Sequence, residues 1–554
     1  MRGRRTEAIT RLPRLAVCAK HSRHAGRGLR VRTMGMILIE QNWLRRVLVA
    51  ATGICLSGQV LSAPDDASLP SRGGVEISPG KLAQLIVLRN VDALSAELQA
   101  DVSERLYESE AALYDPVVFT LARYDDLHLP RAVDDPLNSP FFGAQPEIEE
   151  EIGTVEVGSR VQLYSGGEAQ VSYQWRERRA LALQGNRENV NTMTVSLRQP
   201  LLRGLGRQAT EADLRVIELE RDIDVQRYRE RLLEVAGDGV SAYWQLYRAL
   251  ASRSIREESL ATVKEVREDV SRRVAGGFAP STDQLEARIA VASRMADVTR
   301  STSLVEEAQG QLLRLLNVEA AREAPSFEPT RRPLGRREDA IDSQARFERA
   351  LDSWPDLLIS QLRARQEQVR LVFARNERLP TLDLSVGANW NTYSLDDRTP
   401  DWDILRPADG TNGWFAGLEF EMPVTNRQAR RRVDAQRLRL QQAELEVGAV
   451  RNALSHDIRT RERQLDAALE EMAQLQEDVE LREQLLEAER SAYGLGRARL
   501  TDVLDREDQL NESRQRLVDA LTRVELARLA LRIADGSLLD VYDVQIEVSN
   551  GGAG

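Results

Sequence analysis

Apolar residues in this chain recur in two registers, one helical and one extended. Over 210–275 there is no proline, and Ala236, Val240, Tyr243, Tyr247 and Leu250 step by four and three, the seam of a coiled coil. At roughly 1.5 Å per residue such a helix is about 100 Å long. A return helix over 282–317 runs through Leu285, Ile289, Ala292, Leu312 and Leu315, with Ser281 and Gln284 placed as a capping box. The plan repeats later in the chain. A helix over 427–492 carries Leu465, Leu469, Met472 and Val479 on its seam, and a helix over 500–534 sets Val503, Leu510, Leu517, Val524 and Leu531 seven residues apart.

Between the helices the period drops to two. In 381–390, Leu382, Leu384, Val386, Ala388 and Trp390 share one face while Asp383, Ser385 and Asn389 share the other. In 414–422, Trp414, Ala416, Leu418, Phe420 and Met422 oppose Glu419 and Glu421. Strands over 117–124 and 190–199 are predicted in the first half. Pro116, Pro200, Pro380 and Pro423 stand at the helix–strand junctions, because the residue before a proline resists helix. Shorter helical patterns precede each strand pair, over 82–113 and 349–378. Residues 126–189 are a mixed insertion in which Val171, Tyr173 and Trp175 alternate beside Gly166-Gly167, compatible with a hairpin.

The two helix–helix turns are copies of one design. Gly277 and Gly496 each precede an Asp by six residues, Asp283 and Asp502, and each Asp follows a Thr, Thr282 and Thr501. Repetition of a whole strand–strand–long hairpin unit marks an internal duplication. The predicted organisation is an N-terminal extension and signal segment (1–63), a first repeat (64–323) opening on a flexible leader over 64–80, a linker (324–348), a second repeat (349–540) and a tail (541–554).

Strands of about ten residues with one apolar face, one polar face and tryptophans at the ends fit a membrane β-barrel. Four strands cannot close one, whereas three chains supply twelve. The fold class expected is therefore mainly α with a small β part: a trimeric helical tunnel joined to a twelve-stranded membrane β-barrel, four strands from each chain. A periplasmic coiled-coil scaffold or adaptor that never enters a membrane is the alternative; it leaves the alternation ending at Trp390 and Trp414 unexplained.

Composition narrows the choice. Only 5% of the residues are aromatic and 29% are charged, as in long surface-rich helices. Arg45-Arg46 precedes an apolar run over 47–61 that ends in Ser62-Ala63, the form of an export signal. Residues 1–63 hold 12 of the 76 basic and 2 of the 87 acidic side chains, so the rest of the chain is acidic by 21. An acidic exported body argues against nucleic acid as a partner. Cys18 and Cys55 both lie in the N-terminal extension and signal segment, and the four histidines have no metal spacing. No nucleotide-binding loop, nucleophile elbow or zinc motif is present, so no catalytic residue, metal or cofactor is predicted.

The run Leu197-Arg198-Gln199-Pro200-Leu201-Leu202 with Gly204, the triplet Ala242-Tyr243-Trp244 on the next helix and the duplicated Gly-x5-Asp tips resemble the TolC-type outer-membrane efflux proteins over about 80–540. The resemblance implies a homotrimeric passive conduit in the outer membrane, serving tripartite efflux or type I secretion with a periplasmic adaptor and an inner-membrane transporter. It implies a carboxylate ring, Asp502 and Asp505, at the closed periplasmic entrance. It also implies a latch of Thr282, Asp283 and Tyr493, and adaptor contacts at tip glycines Gly276, Gly277, Gly494 and Gly496. The family's latch arginine is not matched: Ala498 stands there, between Arg497 and Arg499.

Overall fold

A computed structural model describes residues 74–130, 147–180, 187–318, 325–336, 343–395 and 411–544, all within the unit Leu69–Gly554. The N-terminal extension and signal segment (1–63), the first part of the leader and the end of the tail lie outside the described residues.

Four long helices form the body. Helix α3 (Ala212–Ala275) turns back as α4 (Ser281–Leu315), and α7 (Arg427–Gly494) turns back as α8 (Leu500–Ala534). They lie in the order α4-α3-α8-α7, with α3 and α8 packed on each other at the centre. The sequence seams become the packed faces: Ala236, Val240 and Tyr243 have no exposure, and Val503, Leu510, Val524 and Leu531 are all buried. By contrast Leu285 and Ile289 on α4 are 57% and 61% exposed, so the apolar line read on that helix is uncovered near the tip, whereas Leu312 at its other end is fully buried.

The shorter helical patterns are each two helices. The pattern over 82–113 divides into α1 (Pro79–Arg89) and α2 (Val91–Ala111). Asn90 ends the first and caps the second, its Oδ1 accepting from the Asp92 amide at 2.9 Å. The pattern over 349–378 divides into α5 (Ser343–Ser353) and α6 (Pro355–Asn376), because Pro355 cannot continue a helix but suits a first turn. Both helix pairs pack beside the long helices, α2 on α3 and α6 on α3 and α7.

Two segments read as leader and linker are structured. Strand β1 (Gly74–Ile77) pairs in parallel with β6 (Ser326–Pro329). The Tyr243 hydroxyl, in the Ala242-Tyr243-Trp244 triplet, accepts from the Arg331 amide at 2.8 Å and donates to the Arg331 carbonyl at 3.1 Å. Glu525 and Arg528, both buried, hold the next turn of the linker: the Leu334 amide donates to Glu525 at 2.7 Å and Arg528 donates to the Arg336 carbonyl at 2.8 Å. Residues 538–541 of the C-terminal region form a short helix with Leu538 fully buried. Contacts between segments 88 to 252 residues apart leave no local signal, which is why these pieces have no clear pattern in sequence.

The larger sheet is an antiparallel meander, β2 (Val117–Pro130), β3 (Glu147–Gln162), β4 (Glu168–Ala180), β5 (Arg187–Pro200), β7 (Thr381–Leu395) and β8 (Thr411–Glu421), in the order β2-β3-β4-β5-β7-β8. Among the described residues this sheet thus has six strands, not the four expected. The segment read as an insertion supplies β3 and β4, each hydrogen-bonded along its length to a neighbour on either side. Charge obscured the alternation: Glu149, Glu150, Glu151, Arg176, Arg178 and Arg179 break the apolar period at the far ends of both strands.

Pairing register assigns each side chain to a face. One face carries Val118, Ala122, Val155, Val157, Val171, Tyr173, Val195, Leu197, Val386, Leu418 and Phe420, edged by Tyr124, Trp175, Trp390 and Trp414. The other carries Arg123, Glu156, Gln170, Gln174, Thr192, Thr194, Asp383, Ser385 and Glu419. On that polar face two phenylalanines cover cross-strand glycines, Phe119 over Gly158 and Phe415 over Gly387; a Cβ at either glycine would lie within 2.6 Å of the ring. The same device in both repeats fills a gap that each glycine leaves in the pleat.

Candidate functional site

The tips of the two hairpins hold most of the residues singled out in sequence. Each long helix is stopped in the same way. Gly277 and Gly496 adopt the left-handed region, at φ +78 and +74, which other residues enter at a cost. The amides beyond them bond back, Phe278 to the Arg273 carbonyl at 2.8 Å and Arg497 to the Ala492 carbonyl at 2.9 Å. The return helices begin at Ser281 and Leu500, so Asp283 and Asp502 occupy the third helical position of each. That is the physical content of the Gly-x5-Asp repeat: a left-handed stop, then a carboxylate over the free amides of the next helix. Asp502 shows the contact, accepting from the Arg499 amide at 3.1 Å. The capping box expected at Ser281 and Gln284 does not form; Pro280 precedes the helix and no side chain caps it.

Asp502 and Asp505 are both exposed on the first turns of α8. Gly276, Gly277, Gly494 and Gly496 are exposed at the ends of the hairpins, beside Phe278 and Leu495, which are 87% and 71% exposed.

Tyr493 connects the two hairpins. Its ring packs with Val270, Ala287 and Leu500, which are buried between the tips. The Arg273 guanidinium lies over the ring, 5.0 Å from its centroid, and pairs with Asp269 at 2.7 Å. Burial pushes the Tyr493 hydroxyl up; Arg273 opposes this, while Asp283 and Asp269 add to it. The structure thus brings Tyr493, Asp283, Asp269 and Arg273 together. Thr282, also expected in the latch, is exposed on the first turn of α4. Arg273 was missed in sequence because an arginine was sought after Gly496; its signal was Asp269, one helical turn earlier on the same helix.

A second connection, deeper in the bundle, had no sequence signal. The Ser259 hydroxyl on α3 donates to Glu507 Oε1 at 3.2 Å. It accepts from Arg294 Nε on α4 at 3.1 Å and from Asn511 Nδ2 on α8 at 3.0 Å. All four side chains are buried, Glu507 to 3% exposure, and Arg294 also pairs with Asp508. Burial pushes the Glu507 carboxyl up, against the opposing pull of Arg294, Ser259, Arg490 and Asn511.

Among the described residues no helix is long and apolar enough to cross a membrane, and no group of three or more His, Cys, Asp or Glu side chains could hold a metal ion.

Residues 347–537 match the family model described as outer membrane efflux protein. No curated protein matches the chain in sequence. Among solved structures, the chain is similar to CusC, described as a transmembrane channel, at 14% identity and a TM-score of 0.60 over 86% of this chain and 96% of that one. It is similar to the CmeC outer membrane channel of Campylobacter jejuni at 14% identity and 0.56, over 85% and 87% of the two chains. It is also similar to the open state of the MtrE outer membrane channel of Neisseria gonorrhoeae, at 16% identity and 0.57, over 84% and 91%. Residues 347–537 therefore match the outer membrane efflux protein model, and the chain has a fold shared with solved outer-membrane channels.

Proposed function

We propose that this chain is one protomer of a homotrimeric outer-membrane export channel, a passive conduit gated at the hairpin tips. It would span the outer membrane with its sheet and the periplasm with its helices. An inner-membrane transporter, coupled through a periplasmic adaptor docked at the tips, would supply the energy for efflux or type I secretion.

The observation that carries this reading is the two-faced sheet with open edges. Its apolar face is bounded by Tyr124, Trp175, Trp390 and Trp414, and its other face is polar. Such a sheet suits lipid on one side and water on the other. Strands β2 and β8 have no partner on their outer edges within the described residues. Lipid does not tolerate unpaired backbone, so edges at membrane depth must meet other strands. Strand β2 leaves a helix junction and β8 runs back toward one, so β8 of one copy and β2 of the next are antiparallel, as closure needs.

The helical layer has matching open flanks. Edge helix α4 exposes Leu285, Ile289 and Met295, and edge helix α7 exposes Leu438, Leu445, Leu481 and Leu485. Unlike faces on opposite flanks make head-to-tail contacts, which close into rings. A periplasmic scaffold would leave the apolar face of the sheet in water, which disfavours that alternative.

In the closed channel, Asp502 and Asp505 of three copies would ring the entrance, and Tyr493, Arg273 and Asp283 would hold the second hairpin against the first. The test is the molar mass of the detergent-extracted protein by light scattering, corrected for bound detergent, together with its membrane fraction. Three chains per particle in the outer-membrane fraction are expected. A monomer released by osmotic shock would overturn the reading.

A further inference from the structure

We propose that the hairpin β3–β4 lies within the membrane wall and widens the trimeric barrel from twelve strands to eighteen. The proposal rests on the trimeric-channel reading and concerns the dimensions and lining of its outer-membrane pore.

The hairpin is continuous with the sheet. Strand β3 pairs with β2 over the full length Val117–Pro130, and β4 pairs with β5 from Glu168 to Arg179. A flap folded over a finished barrel would leave β2 and β5 paired with each other; here they are separated by two strands.

The hairpin also has the faces that a wall position requires. Register puts Val155, Val157, Val161, Ala169, Val171, Tyr173 and Trp175 on the apolar face, in line with Ala122 and Val118 on one side and Leu197, Val195 and Met193 on the other. From Ala169 to Trp175 this band is seven residues long, roughly 23 Å of strand, close to the height of a barrel's apolar belt. The opposite face carries Glu156, Arg160, Gln170, Gln174, Arg176 and Arg178. Arg178 pairs across the sheet with Glu150 and with Glu188, the latter at 3.1 Å. These charges suit a water-filled lumen and would be costly in lipid.

The turn of the hairpin is anchored at the level of the helix junctions. The Gly206 amide donates to the Ser165 carbonyl at 2.9 Å, and Gln199 Nε2 donates to it at 3.1 Å. The Tyr164 ring meets Tyr114 at 4.2 Å between centroids and lies under Arg207 at 5.2 Å. A short turn on the periplasmic side is the arrangement of membrane barrels. Two added strands preserve antiparallel alternation and leave β2 and β8 as the edges, so closure between copies is unchanged.

Barrel diameter grows roughly linearly with strand number. Eighteen strands make a barrel about 1.5-fold wider than twelve, in the range where porins keep an aqueous channel. The outer-membrane stage would then accept hydrated cargo bulkier than a twelve-stranded barrel passes. Selection by size would fall to the tips, where the helix number is unchanged.

The test uses single cysteines in the full chain with Cys18→Ser and Cys55→Ser, otherwise cysteine-free. Membrane-embedded protein carrying Gln170→Cys or Gln174→Cys should react with a membrane-impermeant maleimide. Val171→Cys and Tyr173→Cys, interleaved on the other face, should be spared until the protein is denatured. Equal labelling of all four in particles with the mass of three chains would overturn the proposal and leave the channel reading intact. A mass other than three chains would overturn both. Electron cryo-microscopy of the extracted trimer should count eighteen strands; twelve would sink the wider barrel, whatever any single variant does.

Discussion

Asn511 Nδ2 donates to Ser259 Oγ at 3.0 Å, a buried hydrogen bond between residues 252 positions apart that ties the second hairpin to the first. The same hydroxyl donates to Glu507, whose carboxyl is pushed up by burial. A carboxyl with a raised folded pKa favours the protonated protein. Its stabilising effect is complete below the unfolded value near 4.5 and is lost as pH rises through the higher folded value. Glu507→Gln should therefore flatten the fall in thermal stability over that window and raise Tm at pH 7.5 relative to the parent. An unchanged pH profile of Tm in detergent would show that Glu507 is not the titrating group.

If the tips gate the channel as proposed, opening should respond to Arg273. A guanidinium over an aromatic ring contributes about 0.5–2 kcal/mol according to exposure, and Arg273 lies over Tyr493 where the hairpins meet. Arg273→Ala should increase the fraction of time that single channels spend open in planar bilayers. Arg497→Ala and Arg499→Ala should do so less. If Arg499→Ala opened the channel and Arg273→Ala did not, the latch would lie on the second tip.

Substitutions can separate the helix-capping contact of Asp502 from its proposed place in the entrance ring. Its carboxylate accepts from the Arg499 amide, and three copies would present it with Asp505 at the entrance. Asp502→Ser keeps a hydrogen-bonding oxygen but removes the charge, whereas Asp505→Ala leaves the cap alone. The double variant Asp502→Ser with Asp505→Ala should weaken block by trivalent cations in bilayer recordings, with unfolding free energy lowered by no more than the loss of one capping charge, about 1 kcal/mol. Undiminished block would place the cation site elsewhere.

Tyr243→Phe should loosen the linker. The Tyr243 side chain has no exposure, and its hydroxyl holds both the amide and the carbonyl of Arg331. Removing the hydroxyl deletes two part-buried hydrogen bonds to the linker backbone, at a cost of about 0.5–1.5 kcal/mol each. The expected result is a lower Tm with faster proteolytic cleavage in 325–336. A matching loss in Trp244→Phe, without the cleavage, would mark general packing.

Much of the site was legible for local reasons. The Gly-x5-Asp spacing is a left-handed stop followed by a carboxylate in the third helical position, and both requirements are satisfied within about ten residues. Val503, Leu510, Leu517, Val524 and Leu531 could be read as a seam because helical period alone puts them on one face. Arg273 could not be assigned to Tyr493, since the two lie on different helices and meet only when the hairpins pack.

By itself the sequence determined the order of the elements, their long helical and short extended periods, the duplication, and the four proline-marked junctions. These depend on propensity and on chain geometry over a few residues. Tertiary structure alone decided the rest. It joined 74–77 to 326–329, docked the linker on Tyr243, gathered Ser259, Arg294, Glu507 and Asn511, and added β3 and β4 to the sheet. Each of these is a contact between distant segments, and a strand is known as part of a sheet only by the backbone groups of the strand beside it.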